Sequence, residues 1–392
     1  MSGTSLRNRV AIVGVGESDI GKVPGMTGLG LNAQAAKRAL DDAGLKPPDI
    51  DGLLTAYSFT EPYFMLGSVL CEYLGLQPRF NASLVVGGAT PAVMLKHAAE
   101  AIVAGQAEVV LVTAGENRAT GQSRDQAVAA LTAVGHPYFE QPYGSSIPGF
   151  YAMIARRHML EYGTTREQMA EVAATTRRHA LLHPNAHMKA PLTREQVLSA
   201  KPIADPLGML DCCLISDAGG AFIVTSAERA ADLRAKPAYL LGIGEFHTHE
   251  HIMCAPSLTE FGATRSGAAA YRMAGLGPAD IDVAELYDCF SVVPIIEAEE
   301  LGLCPRGEGG RYWLDGRAAI GGGAVPVNTH GGMLSHAHAG AAGGLFGIVE
   351  AVRQLRGGLG ARQVEGAEVA LVHNEGGILS SHCTMLLGKD KA

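Results

Sequence analysis

No two cysteines in this 392-residue chain have the CxxC spacing, and the cysteine count, seven, is odd. That pattern argues against a disulfide framework and against a cysteine-based zinc site. The cysteines read as thiols in a reducing compartment, most of them buried as small hydrophobes. There is no run of lysine or arginine and the net charge is −8, which excludes non-specific nucleic-acid binding along a basic stripe. No apolar run approaches the length of a membrane span. The opening MSGTSLRNRV has no apolar core of the signal-peptide kind and leads straight into a strand, so the expected compartment is the cytoplasm. The GxG at Gly14–Gly16 lacks the third glycine of a dinucleotide fingerprint. HTHEH (His247–His251) contains no HExxH and no complementary ligand set, and no metal site is expected.

With 47% apolar and 18% charged residues, the chain has the composition of an ordinary globular protein long enough to bury a large core. Three blocks of its first half recur in order in its second half. RVAIVGVG (Arg9–Gly16) returns as PAYLLGIG (Pro237–Gly244). AGLKPPDID (Ala43–Asp51) returns as AGLGPADID (Ala274–Asp282). AEVVLVTAGEN (Ala107–Asn117) returns as AEVALVHNEGG (Ala367–Gly377). The order of these matches points to a duplicated α/β unit with a pseudo-twofold axis. In the first half, a buried strand at Arg9–Val15, an amphipathic helix Leu29–Ala43 ended by Gly44, a strand Leu53–Tyr57, a helix Gly88–Ala104 and a strand Glu108–Val112 alternate. Continuously apolar strands between helices imply a sheet covered on both faces. Residues 118–235 break the alternation with helices at Gly149–Tyr162 and Arg166–Leu182 and proline-rich joints, and then a strand at Gly219–Val224 returns to the core. The expected units are therefore 7–117, an inserted helical lobe 118–235, and 236–392, with no linker between them.

What the halves do not share is where function is expected. Three polar segments are peculiar to the second half: ELYDCFS (Glu285–Ser291), VNTHGGMLSHAHAGAAGG (Val327–Gly344) and HNEGG (His373–Gly377). They follow strand ends, where ligands gather in open α/β sheets. Small residues precede a helix expected near Ala341, so backbone N–H groups there can face a ligand, with His338 just before them. Each residue also has a plain structural reading. Tyr287 fits core packing, Asp288 fits a helix cap, and His336 with His338 has the alternate spacing of a chelate but no carboxylate or thiol pattern to complete it.

At these residues the chain resembles the thiolase superfamily over almost its full length, and within it the sterol-carrier-type thiolases and thiolase-like lipid-transfer proteins. NTHGGMLSHAHAGAAGG is similar to the NPSGGxxxxGHPxGATG segment that carries the family's catalytic histidine, which places that role on His338. YDCF stands where sterol-carrier types have HDCF, so Cys289 takes the place of their acid–base cysteine and Tyr287 that of their histidine. HNEGG resembles the C-terminal CxGGG or HNxG segment, with Asn374 where CxGGG thiolases have cysteine. SDAGG resembles SDGAA and puts Ser216 on the CoA side. The resemblance implies two βαβαβαββ units packed as an αβαβα sandwich, a loop domain that helps bind CoA, and a dimer or tetramer.

One departure directs the chemistry. The family's nucleophilic cysteine lies in a pattern like NNNCATGST. Here the segment is NASLVVGGAT (Asn81–Thr90), and alignment of its GGAT on TGST puts Val85 at the nucleophile. Valine cannot form a thioester. Some relatives that lack the nucleophile and carry a YDxF-type segment are retro-aldolases that cleave β-hydroxyacyl-CoA side chains of steroids, usually with a small OB-fold partner bearing a zinc ribbon. Retro-aldol cleavage needs a base for the β-hydroxyl and donors for the thioester enolate, but no acyl-enzyme. Tyr287 is then the base or a proton relay, and His338 a donor to the thioester oxygen. Backbone N–H groups near Val85 and Gly376 form a second oxyanion site. Those aldolases often carry tyrosine where this chain keeps His338. Two other readings stay open: Claisen-type acyl transfer with another nucleophile such as Cys289 or a partner protein, and a non-catalytic acyl-CoA-binding subunit. The acyl chain is open among steroid, aromatic and branched fatty groups.

Overall fold

The structure, a computed structural model, describes residues 5–391. The first half runs β1 (Val10–Glu17), α1 (Gly28–Ala43), β2 (Gly52–Ala56), α2 (Leu66–Leu74), β3 (Phe80–Leu84), α3 (Thr90–Val103) and β4 (Val109–Asn117). An insertion follows, with α4 (Arg124–Thr132), α5 (Ile147–Tyr162), α6 (Arg166–Leu181), α7 (Arg194–Leu198) and the small pair β5 (Pro202–Ala204) and β6 (Leu207–Gly208). The chain then returns through β7 (Asp217–Ser226) and α8 (Ala227–Ala231). The second half comprises β8 (Ala238–His247), α9 (Ala263–Ala274), β9 (Val283–Glu285), α10 (Val293–Glu300), α11 (Gly309–Leu314), α12 (Gly343–Arg356), β10 (Val369–Gly376) and β11 (Ser381–Gly388).

The principal sheet has the order β3-β2-β4-β7-β1-β8-β11-β10-β9, which reads as the same order outward in both directions from the β1–β8 junction. β7 and β11 are the antiparallel members of their halves, each next to the first strand. This topology moves one expected boundary. β7 pairs with β4 and β1 in the middle of the first-half sheet, so the inserted lobe ends before Asp217, not near 235. The core strands β1, β2 and β4 are buried almost throughout, as their unbroken apolar runs required. α3 touches β2, β4 and β7 of its own half and β10 and β11 of the other, while α12 touches β9 and β10 and also β1 and β7. These two helices therefore form the middle layer of an αβαβα sandwich, with α1 and α9 on the outer faces. The apolar body around them includes Ile12, Met94, Leu95, Phe346 and Ile348.

The repeated motifs do the same work twice. A Cβ on Gly14 or Gly16 would stand 2.3 Å from the Ala39 carbonyl or 2.4 Å from that of Ala35. On Gly242 or Gly244 it would stand 2.2 Å from the Ala270 carbonyl or 2.1 Å from that of Ser266. The GxG motif is thus the price of laying an outer helix directly on a strand. Gly44 and Gly275 end α1 and α9 in the left-handed conformation at φ 72° and 69°. Asp51 accepts the N–H groups of Glu108 and Val109 at the start of β4, and Asp282 those of Glu368 and Val369 at the start of β10. Among the described residues, no helix is long and apolar enough to cross a membrane.

Candidate active site

The loop leaving β3 meets the end of β10. A Cβ on Gly87 would lie 2.6 Å from Gly377 N, and one on Gly376 2.1 Å from the Val86 carbonyl. Strand ends from both halves therefore close on one point. Val85 stands there as the first residue past β3, with a side chain 69% exposed. The following N–H, of Val86, donates to Thr90 Oγ1 at 2.9 Å at the start of α3.

Tyr287 leaves β9 and is buried, its backbone N–H donating to Glu297 Oε2 at 2.9 Å. Its hydroxyl lies over Gly88, where a Cβ would sit 2.0 Å from Oη. Among the described residues that hydroxyl has no hydrogen-bond partner. Burial, then the neighbouring Cys289 and Glu375, push its ionisation well above that of free tyrosine, so it is a neutral O–H. Cys289 is buried and its Sγ donates to Glu375 Oε1 at 3.2 Å. Burial first, and then Glu375, hold this thiol protonated. It is an acid rather than a ready nucleophile, because the thiolate is the attacking species.

Glu375 is the middle letter of HNEGG, and matching that motif alone does not single it out. Its Oε1 also accepts from Tyr151 Oη on α5 at 2.5 Å, its Oε2 accepts from Leu379 N at 3.1 Å, and burial pushes its carboxyl up to about 7. Strand alternation is the signal that finds it. Asn374 turns toward α12, its Nδ2 donating to the Gly344 carbonyl at 3.0 Å, and Glu375 turns the opposite way. Asn374 thus ties β10 to the start of α12. Tyr151 and Cys213 gave no sequence signal, since both come from the inserted lobe.

His338 is partly exposed, and burial followed by Arg118 pushes its imidazole down to about 4, so it is neutral at pH 7. Its Nδ1 is 3.3 Å from the Leu214 carbonyl and 3.5 Å from Cys213 Sγ. The carbonyl can only accept and the thiol is a weak partner, which assigns the ring proton to Nδ1 and leaves the Nε2 lone pair free. In this tautomer His338 is a proton acceptor, where the sequence led to the expectation of a donor. A Cβ on Gly343 would lie 2.6 Å from His338 Cδ2, and one on Gly344 2.7 Å from the Gly88 carbonyl. The first residues of α12 therefore form a wall that backs both the imidazole and the Gly88 segment over which the phenol lies. Ser216, expected on the CoA side, is fully buried. It accepts the His338 N–H at 3.3 Å and pairs with His187 Nδ1 at 3.0 Å, so it positions His338. Asp288 caps the turn before His338, its Oδ1 accepting from Met333 N at 2.6 Å.

His336 points away from His338, and the two do not chelate. His336 Nε2 lies 3.2 Å from Glu17 Oε1, and His183 Nε2 3.9 Å from Glu17 Oε2, all three residues being buried. Asn185 N donates to His183 Nδ1 at 3.1 Å, so the proton of that neutral ring sits on Nε2, and Arg353 holds Glu17 Oε2 at 3.1 Å. With the His183 proton on Nε2 and a guanidinium already on the carboxylate, the cluster as it stands is not set to ligate a cation. Burial opposes ionisation of Glu17, yet Arg353 and His336 hold its carboxyl well below 4.5. Its contribution to stability is full above the unfolded value and is lost as pH falls through the folded one. Glu17→Gln is expected to be less stable than wild type at pH 7 by about 3 kcal/mol or more, as for a broken buried pair. In denaturant titrations at falling pH that gap should narrow below the ordinary carboxylate range, and a gap constant to pH 3 would sink the assignment.

A family model for the thiolase C-terminal domain matches residues 244–389. An acetyl-CoA acetyltransferase of Methanothermobacter thermautotrophicus is 35% identical over 94% of this chain and 96% of its own. A 17-hydroxy-3-oxo-4-pregnene-20-carboxyl-CoA lyase of Mycobacterium tuberculosis is 35% identical over 96% of this chain and 98% of its own. The solved structure described as an Ltp2-ChsH2(DUF35) aldolase superposes with a TM-score of 0.85 at 34% identity, covering 98% of both chains. Identity of about a third along nearly the whole length, on the same duplicated fold, makes this chain a member of the thiolase superfamily.

Proposed function

We propose that this chain cleaves the Cα–Cβ bond of a β-hydroxyacyl-CoA by a retro-aldol reaction without an acyl-enzyme. The observation that carries the reading is Val85, an exposed valine where the family's nucleophile is expected, in the same loop as Gly88, over which the neutral phenol of Tyr287 lies. The phenol of Tyr287, too weak an acid to start as phenolate, takes the β-hydroxyl proton as it passes its own to His338 Nε2. The Cα–Cβ bond then breaks, Cβ becomes a ketone or aldehyde, and the electron pair becomes the thioester enolate. Backbone N–H groups around Val85 and Gly376 hold the enolate oxygen. Cys289 returns a proton to Cα, giving the shortened acyl-CoA. CoA is part of the substrate and not a resident cofactor, a view supported by relatives named for CoA thioesters.

The steroid acyl-CoA named for the mycobacterial lyase is the first substrate to try, with branched and aromatic acyl chains beside it. A small OB-fold partner is the proposed companion, and the aldolase structure described as Ltp2-ChsH2(DUF35) supports a second subunit. The exposed edge strand β3 and the fully exposed Phe64 support self-association as well. Seven free thiols support a reducing cytoplasm. The test is mass spectrometry of products from β-hydroxyacyl-CoA and β-ketoacyl-CoA panels, with and without free CoA and with the partner co-expressed. Carbonyl release from a β-hydroxyacyl-CoA without free CoA is expected. Cleavage confined to β-ketoacyl-CoA with free CoA would replace the reading by thiolase chemistry.

A further inference from the structure

Retro-aldol cleavage moves no net proton, since one leaves the β-oxygen and one arrives on Cα. The acceptor and the donor are different groups, however, and the donor has to be recharged. If Cys289 protonates Cα, it is left as a buried thiolate. Glu375 Oε1 lies 3.2 Å from that sulfur. Two negative charges at this distance in a buried site cannot persist, so the carboxyl has to be protonated when the thiolate forms.

The surroundings of Glu375 suit a group that holds and releases that proton. Its Oε1 is shared by two donors from different parts of the chain, Cys289 beyond β9 and Tyr151 on α5 of the inserted lobe, the latter at 2.5 Å. Tyr287 lies beside it, and Glu297 on α10 faces it with a carboxyl that burial keeps protonated. Opposite it on β11 is His382, whose ring is engaged by His373 Nε2 at 3.2 Å and the Leu379 carbonyl at 2.9 Å. No cation is among these groups to fix the carboxylate in one state.

We propose that Glu375 is a positioning residue that reprotonates Cys289 after each turnover, with the Tyr151 hydroxyl from the inserted lobe tuning it through their shared oxygen. The inference rests on the retro-aldol reading above. In the cycle the Cys289 S–H bond breaks as the Cα–H bond forms. The Glu375 O–H proton then moves to the sulfur, and the carboxylate takes one proton back from solvent, balancing the one that His338 releases to solvent. Burial brings the Glu375 ionisation to about 7, so both forms are populated at working pH.

The experiment measures kcat and KM against pH for the full chain, with its partner where turnover requires one, in wild type, Glu375→Gln and Tyr151→Phe. Wild-type kcat should fall above about pH 7 as Glu375 loses its proton. Glu375→Gln should lower kcat roughly tenfold to a hundredfold, leave KM alone and abolish that limb. Tyr151→Phe should keep the limb but move it to higher pH, because the lost O–H had favoured the carboxylate. An unmoved limb in both variants overturns the proposal, and a structural role would lower rates without moving it. Alkylation of Cys289 by iodoacetamide, read by peptide mass spectrometry at pH 8–9, tests the coupling without turnover. Glu375→Gln should speed it, since the carboxylate suppresses the thiol's ionisation, and equal rates overturn the coupling. A wild type that cleaves no β-hydroxyacyl-CoA at any pH fails the retro-aldol reading instead.

Discussion

Tyr287→Phe is expected to lower kcat for carbonyl release from a β-hydroxyacyl-CoA by about 10²–10⁴, the usual worth of a positioned proton-transfer group. The melting temperature should hardly move. The ring stays packed where it was, and the lost hydroxyl has no partner to leave unsatisfied among the described residues. That makes the substitution unusually clean, because losses at buried polar groups often come from the orphaned partner and not from the function itself. KM should change little, since the CoA portion of the substrate does not depend on this hydroxyl in the proposed mechanism. Steady-state kinetics with a thermal melt of the same preparation reads both quantities. Rates within a few-fold of wild type would remove Tyr287 from the proton path and leave His338 to meet the substrate alone.

The duplicated frame was legible because its signals are local and twice written. Gly16 and Gly244 give the same close strand–helix crossing, and Asp51 and Asp282 give the same cap. Buried strands such as β4 announce themselves by an apolar run, and helices such as α1 end at a glycine whose φ no other residue adopts cheaply. The segments that differ between the halves drew attention to the stretches holding Tyr287, Cys289 and His338, and the family resemblance then singled out those residues.

The rest depended on contacts distant along the chain. β7 looked like the tail of the insertion because the insertion precedes it, and only pairing with β1 and β4 places it in the middle of the sheet. The tautomer of His338 is set by the Leu214 carbonyl, 124 residues away, and the state of Glu375 by Tyr151, 224 residues away. Neither distance leaves a period or a motif. Glu375 was also hidden by the resemblance itself, which directs attention to Asn374 and Gly376, the letters that fit the family's pattern.

Gly88→Ala should disable the site from the backbone side. An alanine Cβ there would lie 2.0 Å from Tyr287 Oη, 2.2 Å from Tyr287 Cζ and 2.5 Å from the Glu375 carbonyl oxygen. The last of these contacts is backbone in β10 and the first two are to a buried ring whose backbone N–H is fixed on Glu297, so none yields cheaply. Removing the hydroxyl would not relieve the clash, because Cζ alone is too close. Overpacking of this kind costs about 1–3 kcal/mol, and here it also displaces the phenol and the β10 backbone that carries Glu375. The expected result is a loss of turnover at least as large as that of Tyr287→Phe, together with a lowered melting temperature that Tyr287→Phe does not show. The Tyr287→Phe/Gly88→Ala double variant should melt no higher than Gly88→Ala alone. Gly277→Ala serves as the control, its nearest neighbour being Asp280 Oδ2 at 3.9 Å, and should leave both quantities near wild type. Full activity in Gly88→Ala would mean that the phenol does not rest on this glycine during turnover, and the wall shared by Tyr287 and His338 would have to be redrawn.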